Sequence, residues 1–214
     1  MRRLVVIVAA LVVAIVTAPT SYAGYSPWFE RNVGNATQVI SVVGTGGSDA
    51  KMDVWQRSAA GWEPVAAAIP AHVGSAGMTP EARDDYPATP MGVFSLDSAF
   101  GTAPPPGGAL PYVQVGPNHW WDGDPKSPSY NTMQVCKKAQ CPFDTNASEN
   151  LDITPYVHSV VMGVNKQRVP GGGAAFFMHA TDGGPTAGCV AIDDDTLVKI
   201  IRWLRPGAVI AIAQ

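Results

Sequence analysis

Two side chains suited to nucleophilic chemistry lie close together in the sequence. His179 ends the apolar run Phe176-Phe177-Met178-His179, and Cys189 follows in Pro185-Thr186-Ala187-Gly188-Cys189-Val190-Ala191. A thiol attacks well at neutral pH when a base takes its proton, and imidazole is the side chain best suited to do so. The apolar run predicts a buried strand that presents the imidazole on a rigid element, as a general base requires. Gly188 lets the chain turn sharply and approach a substrate. The N–H groups of Gly188, Cys189 and Ala187 are candidate donors to a developing oxyanion. Thr186 can either bond the turn or contact substrate. A satisfied core imidazole is the competing reading of His179, and the Gly188-Cys189 turn downstream argues against it. His72, His119 and His158 compete as the base, but none has the context of His179, with its Gly-Cys turn downstream; His119, beside Trp120 and Trp121, could line a cleft. There is no Gly-x-Ser-x-Gly elbow to support a serine hydrolase.

The other two cysteines have a structural explanation. Cys136 and Cys141 are separated by Lys137-Lys138-Ala139-Gln140, a spacing that a local disulfide closes. So small a loop contributes about 2 kcal/mol at most. A disulfide implies an oxidising compartment, where the odd cysteine, Cys189, must be protected, paired between chains or used. No Cys/His set beyond this pair has zinc-ligand spacing, so no metal is expected. Asp193-Asp194-Asp195 reads as a helix cap rather than a metal site.

The N-terminus reads as an export signal. Arg2 and Arg3 precede the uncharged run Leu4 to Val16, and Ser21-Tyr22-Ala23 fits a signal-peptidase site. The apolar run is shorter than the roughly 20 residues of a membrane span. Cleavage after Ala23 is expected, with a retained anchor as the alternative, placing the protein outside the cytoplasm or in the cell wall. Losing residues 1–23 removes two arginines and no acid, so 14 basic against 17 acidic residues become 12 against 17, a net charge of −5. That balance argues against nucleic acid or an anionic membrane as the partner.

The elements that must position the cysteine and histidine are mostly strands, as 22 glycines and 19 prolines favour short strands and turns. Residues 24–36 read as an exposed lead-in and 37–214 as one domain. Strands are predicted at Thr37–Val43, Lys51–Arg57, near Trp62–Ala67, after Thr89-Pro90-Met91-Gly92, at Tyr112–Val115, Tyr156–Val164, Ala174–His179 and Ala208–Ala213. Leu197, Val198, Ile200, Ile201 and Leu204 form one helical stripe directly after the cysteine turn. Residues 116–150 have little periodicity and many aromatics, which predicts a long functional loop held by the disulfide.

At these residues the chain resembles the L,D-transpeptidase catalytic domain family of bacterial cell-wall enzymes. The family's strand-end His followed by Ser/Thr-x-Gly-Cys appears as His179 and Thr186-Ala187-Gly188-Cys189, and its Thr-Pro-x-Gly-x-Phe strand as Thr89-Pro90-Met91-Gly92-Val93-Phe94. The chain departs from the pattern at Ala187, where many members carry a second histidine, and at Ala191, where many carry Asn or Arg. The resemblance implies a mainly β, β-sandwich-like fold with mixed sheets and a helix near the site. It implies a cysteine acyltransferase that uses Cys189 and His179, with the Ala180 carbonyl orienting the imidazole. Peptidoglycan stem peptides would be its partners, carbapenem-type inhibitors would acylate the same sulfur, and no metal or organic cofactor is needed. Thr186 and Ala187 would contact substrate, and Trp121, Tyr130 and Asn131 would compensate from the long loop for the missing polar groups. The protein is expected to act as a monomer. An L,D-carboxypeptidase or related cysteine hydrolase, and a non-catalytic wall-binding protein on the same fold, are the alternatives.

Overall fold

The computed structural model describes residues 26–214; the leader expected over residues 1–23 lies outside the described residues. The strands, in chain order, are β1 (Gln38–Gly46), β2 (Asp49–Ser58), β3 (Gly61–His72), β4 (Met78–Thr79), β5 (Thr89–Pro90), β6 (Gly92–Gly101), β7 (Tyr112–Gln114), β8 (His119–Trp121), β9 (Met133–Val135), β10 (Glu149–Asn150), β11 (Ser159–Met162), β12 (Phe177–Ala180), β13 (Val190–Ile192) and β14 (Val209–Ala213). One α-helix, α1 (Asp194–Trp203), lies between the last two strands.

The main sheet runs β11-β12-β13-β3-β2-β1-β14-β6-β7, and β11 also pairs with β6. That second pairing closes the sheet on itself, so the two mixed layers expected of a sandwich are one continuous ring. Closure satisfies backbone groups that would otherwise form open edges. The sheet is mixed: β1–β14, β6–β7 and β12–β13 are parallel, and the remaining pairings are antiparallel.

The alternating pattern decides what faces inward. Ile40 and Val42 of β1, Met52 and Val54 of β2, Leu96 of β6, Val160 of β11, Met178 of β12, and Ile210 and Ile212 of β14 form one core with Leu197, Ile200 and Ile201 of α1. Asp193 caps α1 by accepting from Thr196 N at 3.0 Å, as the acidic trio implies. Gln38 holds the other end, donating to Trp203 O at 2.9 Å and accepting from Arg205 N at 2.7 Å.

Several segments differ from their sequence reading; the strand expected from Tyr156 begins at Ser159, after a 3-10 turn at Thr154–Tyr156. The lead-in is not simply exposed. Phe29, Val33 and Ala36 are buried with Trp55, Trp62, Val39 and Ala211, covering a second apolar face of β1, β2 and β14. Residues 116–150 are not a plain loop, because β8 pairs with both β9 and β10 in a small antiparallel sheet. The buried Asp122 carboxylate braces this segment by accepting from Ser127 Oγ at 2.5 Å, Ser129 Oγ at 2.6 Å and Asp124 N at 2.9 Å. The strand predicted from Ala174 begins at Phe177, because Ala175 has a left-handed backbone (φ +58°) that interrupts the extended run.

Candidate active site

Strand register places the two key residues on neighbouring stretches of chain, two positions apart. In the parallel β12–β13 pair, His179 lies opposite Ala191, so Cys189 enters two residues earlier, beside Phe177. Phe177 N donates to Cys189 Sγ at 3.3 Å, and the sulfur lies 3.5 Å from Ala175 O, the carbonyl turned toward it by the left-handed residue. Cys189 is unpaired and 7% exposed; His179 is 8% exposed. Both line one cavity of about 510 Å³, together with Gly188, Ala187, Thr186, Tyr156 and Glu149.

The turn that presents the sulfur is held from two sides. Thr186 Oγ1 donates to Cys189 O at 2.7 Å and accepts from Gly188 N at 3.1 Å. Thr89 Oγ1 donates to the same carbonyl at 3.1 Å and accepts from Gly74 N at 2.8 Å. Gly188 has φ +143°, and a Cβ there would lie 2.8 Å from the Phe176 ring and 3.1 Å from Ala88 O. Glycine is therefore required on two counts.

One expectation changes in this geometry. The Gly188 N–H is committed to Thr186, which leaves the amide of Cys189 as the oxyanion donor nearest the sulfur. The Thr186 hydroxyl bonds the turn at both ends and so shapes the loop, while the residue also lines the cavity. Ala187 is exposed and lines the cavity.

His179 Nδ1 faces Ala180 O at 2.8 Å, which fixes the proton on Nδ1 and leaves Nε2 as the basic nitrogen. Burial lowers the imidazole pKa; the Ala180 carbonyl and Asp182 push it partly back up. Burial pushes the Cys189 thiol well up, and the nearby Glu149 charge adds to this. The Phe177 N–H and the Tyr156 hydroxyl act in the opposite direction. The resting pair is thus a neutral thiol and a neutral imidazole, a state in which the base takes the proton as the sulfur attacks.

The aromatic residues expected at the substrate lie one layer behind the cavity wall. Trp121 packs edge-on against Phe177 at 5.0 Å and donates to Asn131 Oδ1 at 2.8 Å. Asn131, itself left-handed at φ +57°, donates to Val164 O and Asn165 O, both at 3.0 Å. Tyr130 is 2% exposed and donates to Asp84 at 2.5 Å. None of the three lines the cavity; they brace the segment that does. Trp120 donates to Cys136 O at 3.1 Å, next to the Cys136–Cys141 disulfide. The competing histidines are engaged elsewhere: His72 with Asp49, His119 with Gly116 N, and His158 with Asp194.

Two residues that the sequence did not single out complete the site. Tyr156 packs edge-on against His179 at 5.3 Å and against Phe177 at 5.5 Å, and its hydroxyl donates to Glu149 Oε1 at 2.5 Å. Neither belongs to a motif; only their meeting in space marks them.

A closed mixed sheet with a thiol and an imidazole at the ends of adjacent parallel strands defines a β-rich domain built around a cysteine–histidine cleft. The L,D-transpeptidase catalytic domain profile matches residues 48–212, and the chain belongs to that family. Among solved structures the chain is similar to Mycobacterium tuberculosis L,D-transpeptidase 1, with 12% identity and a TM-score of 0.42, over 84% of this chain and 63% of that one. The chain thus spans less than two thirds of that protein's length. Comparison with curated proteins gives no match.

Proposed function

We propose that the protein is an exported cysteine acyltransferase that cross-links peptidoglycan stem peptides. The single observation that carries this reading is the presence of Cys189 and His179 in one cavity, with the ring held by Ala180 O. Family membership supplies the substrate class. His179 Nε2 takes the thiol proton as Cys189 Sγ attacks the carbonyl after the L-centre of diaminopimelate in a tetrapeptide stem. The amide of Cys189 stabilises the oxyanion. The carbon–nitrogen bond to D-Ala breaks, His179 returns its proton to the leaving amine, and a thioester remains. A side-chain amine of a second stem then attacks the thioester, the carbon–sulfur bond breaks, and a 3→3 cross-link forms. Water in place of that amine would make the enzyme an L,D-carboxypeptidase. A leader cleaved after Ala23 would place this chemistry outside the cytoplasm.

Mass spectrometry of the purified chain with a carbapenem tests the nucleophile. A covalent adduct that disappears in Cys189→Ala is expected; an unmodified parent protein refutes the reading. Muropeptide products then separate transfer from hydrolysis, through a 3→3 dimer or a shortened monomer.

A further inference from the structure

The cavity holds a carboxylate that the two steps above do not use. Glu149 lies on β10, whose register with β8 sets it opposite Trp121, and its side chain reaches the cavity beside Cys189. Tyr156 donates to Oε1, while Oε2 has no hydrogen-bond partner and the carboxylate no ion pair among the described residues. The other charged groups on the cavity wall are engaged. Arg83 is forked onto Asp85, Asp84 accepts from Tyr130, and Asp182 accepts from Gly184 N.

An unpaired carboxylate next to a thiol is costly. It opposes formation of the thiolate, and its own burial raises its pKa. A cation between it and the reacting carbon removes both costs. Tyr156 holds the carboxylate through Oε1, and both residues line the cavity.

We infer that Glu149 is the docking carboxylate for a primary ammonium group, the amine of the acyl acceptor. This rests on the transferase reading above and specifies its second step. The ammonium donates to Glu149, loses one proton to it and becomes nucleophilic. Its nitrogen attacks the thioester carbonyl, a carbon–nitrogen bond forms and the carbon–sulfur bond breaks. His179 takes the second proton and gives it to the departing sulfur, restoring the thiol, while the proton on Glu149 leaves to solvent. Water has no positive charge for Glu149 to hold, so the carboxylate favours transfer over hydrolysis.

The test measures protection of Cys189 from iodoacetamide by n-butylammonium, with n-butanol as the neutral probe of similar size. The parent protein should show saturable, salt-sensitive protection by the ammonium and none by the alcohol. Glu149→Gln, which keeps the size and can still accept from Tyr156, should weaken that protection at least tenfold. Tyr156→Phe keeps the carboxylate and should retain most of it. Equal protection in the parent and Glu149→Gln, or no saturable protection in the parent, overturns the proposal. A second measurement follows the stem-peptide thioester as it partitions between the amine acceptor and water. Glu149→Gln should shift the ratio of amine transfer to hydrolysis, read per thioester formed, toward hydrolysis at least tenfold. A parent protein that forms no thioester refutes the transferase reading, while the protection assay still reports on the carboxylate.

Discussion

Thr89 and Cys189 are 100 positions apart in sequence and one hydrogen bond apart in space. The Thr89 hydroxyl bridges the Cys189 carbonyl and the Gly74 amide, so a fully buried side chain fixes the height of the sulfur. Thr89→Val keeps the shape and leaves the Gly74 N–H without its partner. It should cost about 1–3 kcal/mol of stability by urea denaturation and slow carbapenem acylation, because the turn loses one of its two anchors. The Thr-Pro-x-Gly-x-Phe motif is legible in the sequence, but the reason for its threonine is not, since the partner is a backbone carbonyl in a distant turn. His179 carries a second prediction at this scale. Its pKa lies below the ordinary 6.5 because burial disfavours the imidazolium. The neutral ring is the active base, so the rate of Cys189 acylation should stay flat down to about pH 6.5 and fall only below it. Asp182 raises this pKa, so Asp182→Asn should move the acidic limb lower still.

At the scale of elements, periodicity served well where one face of an element is buried and poorly where hydroxyls and carboxylates do the organising. Strands β1, β2, β6 and β14 and helix α1 carry regular apolar stripes, and each was readable within a few residues. The segment 116–150 carries no stripe, because its shape comes from Asp122 accepting from two serines and from Asn131 in a left-handed conformation. Such contacts leave no period in the sequence, so the small sheet of β8, β9 and β10 has the pattern of a loop and Glu149 carries no signal there. The disulfide at the end of β9 staples this segment locally. Replacing Cys136 and Cys141 by serine should lower stability by about 2 kcal/mol at most. Carbapenem acylation of Cys189 should persist, since the nucleophile is held by β12, Thr89 and Thr186 rather than by the staple.

On the scale of the whole molecule, the closed sheet separates two apolar environments with different duties. The strands' inner face meets α1, and the cleft opens beside β12 where the chain enters β13. On β1, β2 and β14 the opposite face is covered by the segment before the first strand, through Phe29 against Trp55 at 5.7 Å and Trp62 at 5.3 Å. The sequence hid this because the segment is short: its buried residues Phe29, Val33 and Ala36 stand at helical spacing, but around a single 3-10 turn, Glu30–Asn32, too brief to read as an element. Phe29 is fully buried, so Phe29→Ala should cost about 3–5 kcal/mol in stability. The cleft residues Tyr156 and Cys189, with Phe100 and Phe177 packed beside them, belong to a separate cluster that shares no member with the one around Phe29. Well below its lowered unfolding midpoint, Phe29→Ala should therefore be alkylated at Cys189 at the parent's rate. A rate that changes in step with stability would instead show that the outer covering sets the geometry of the cleft.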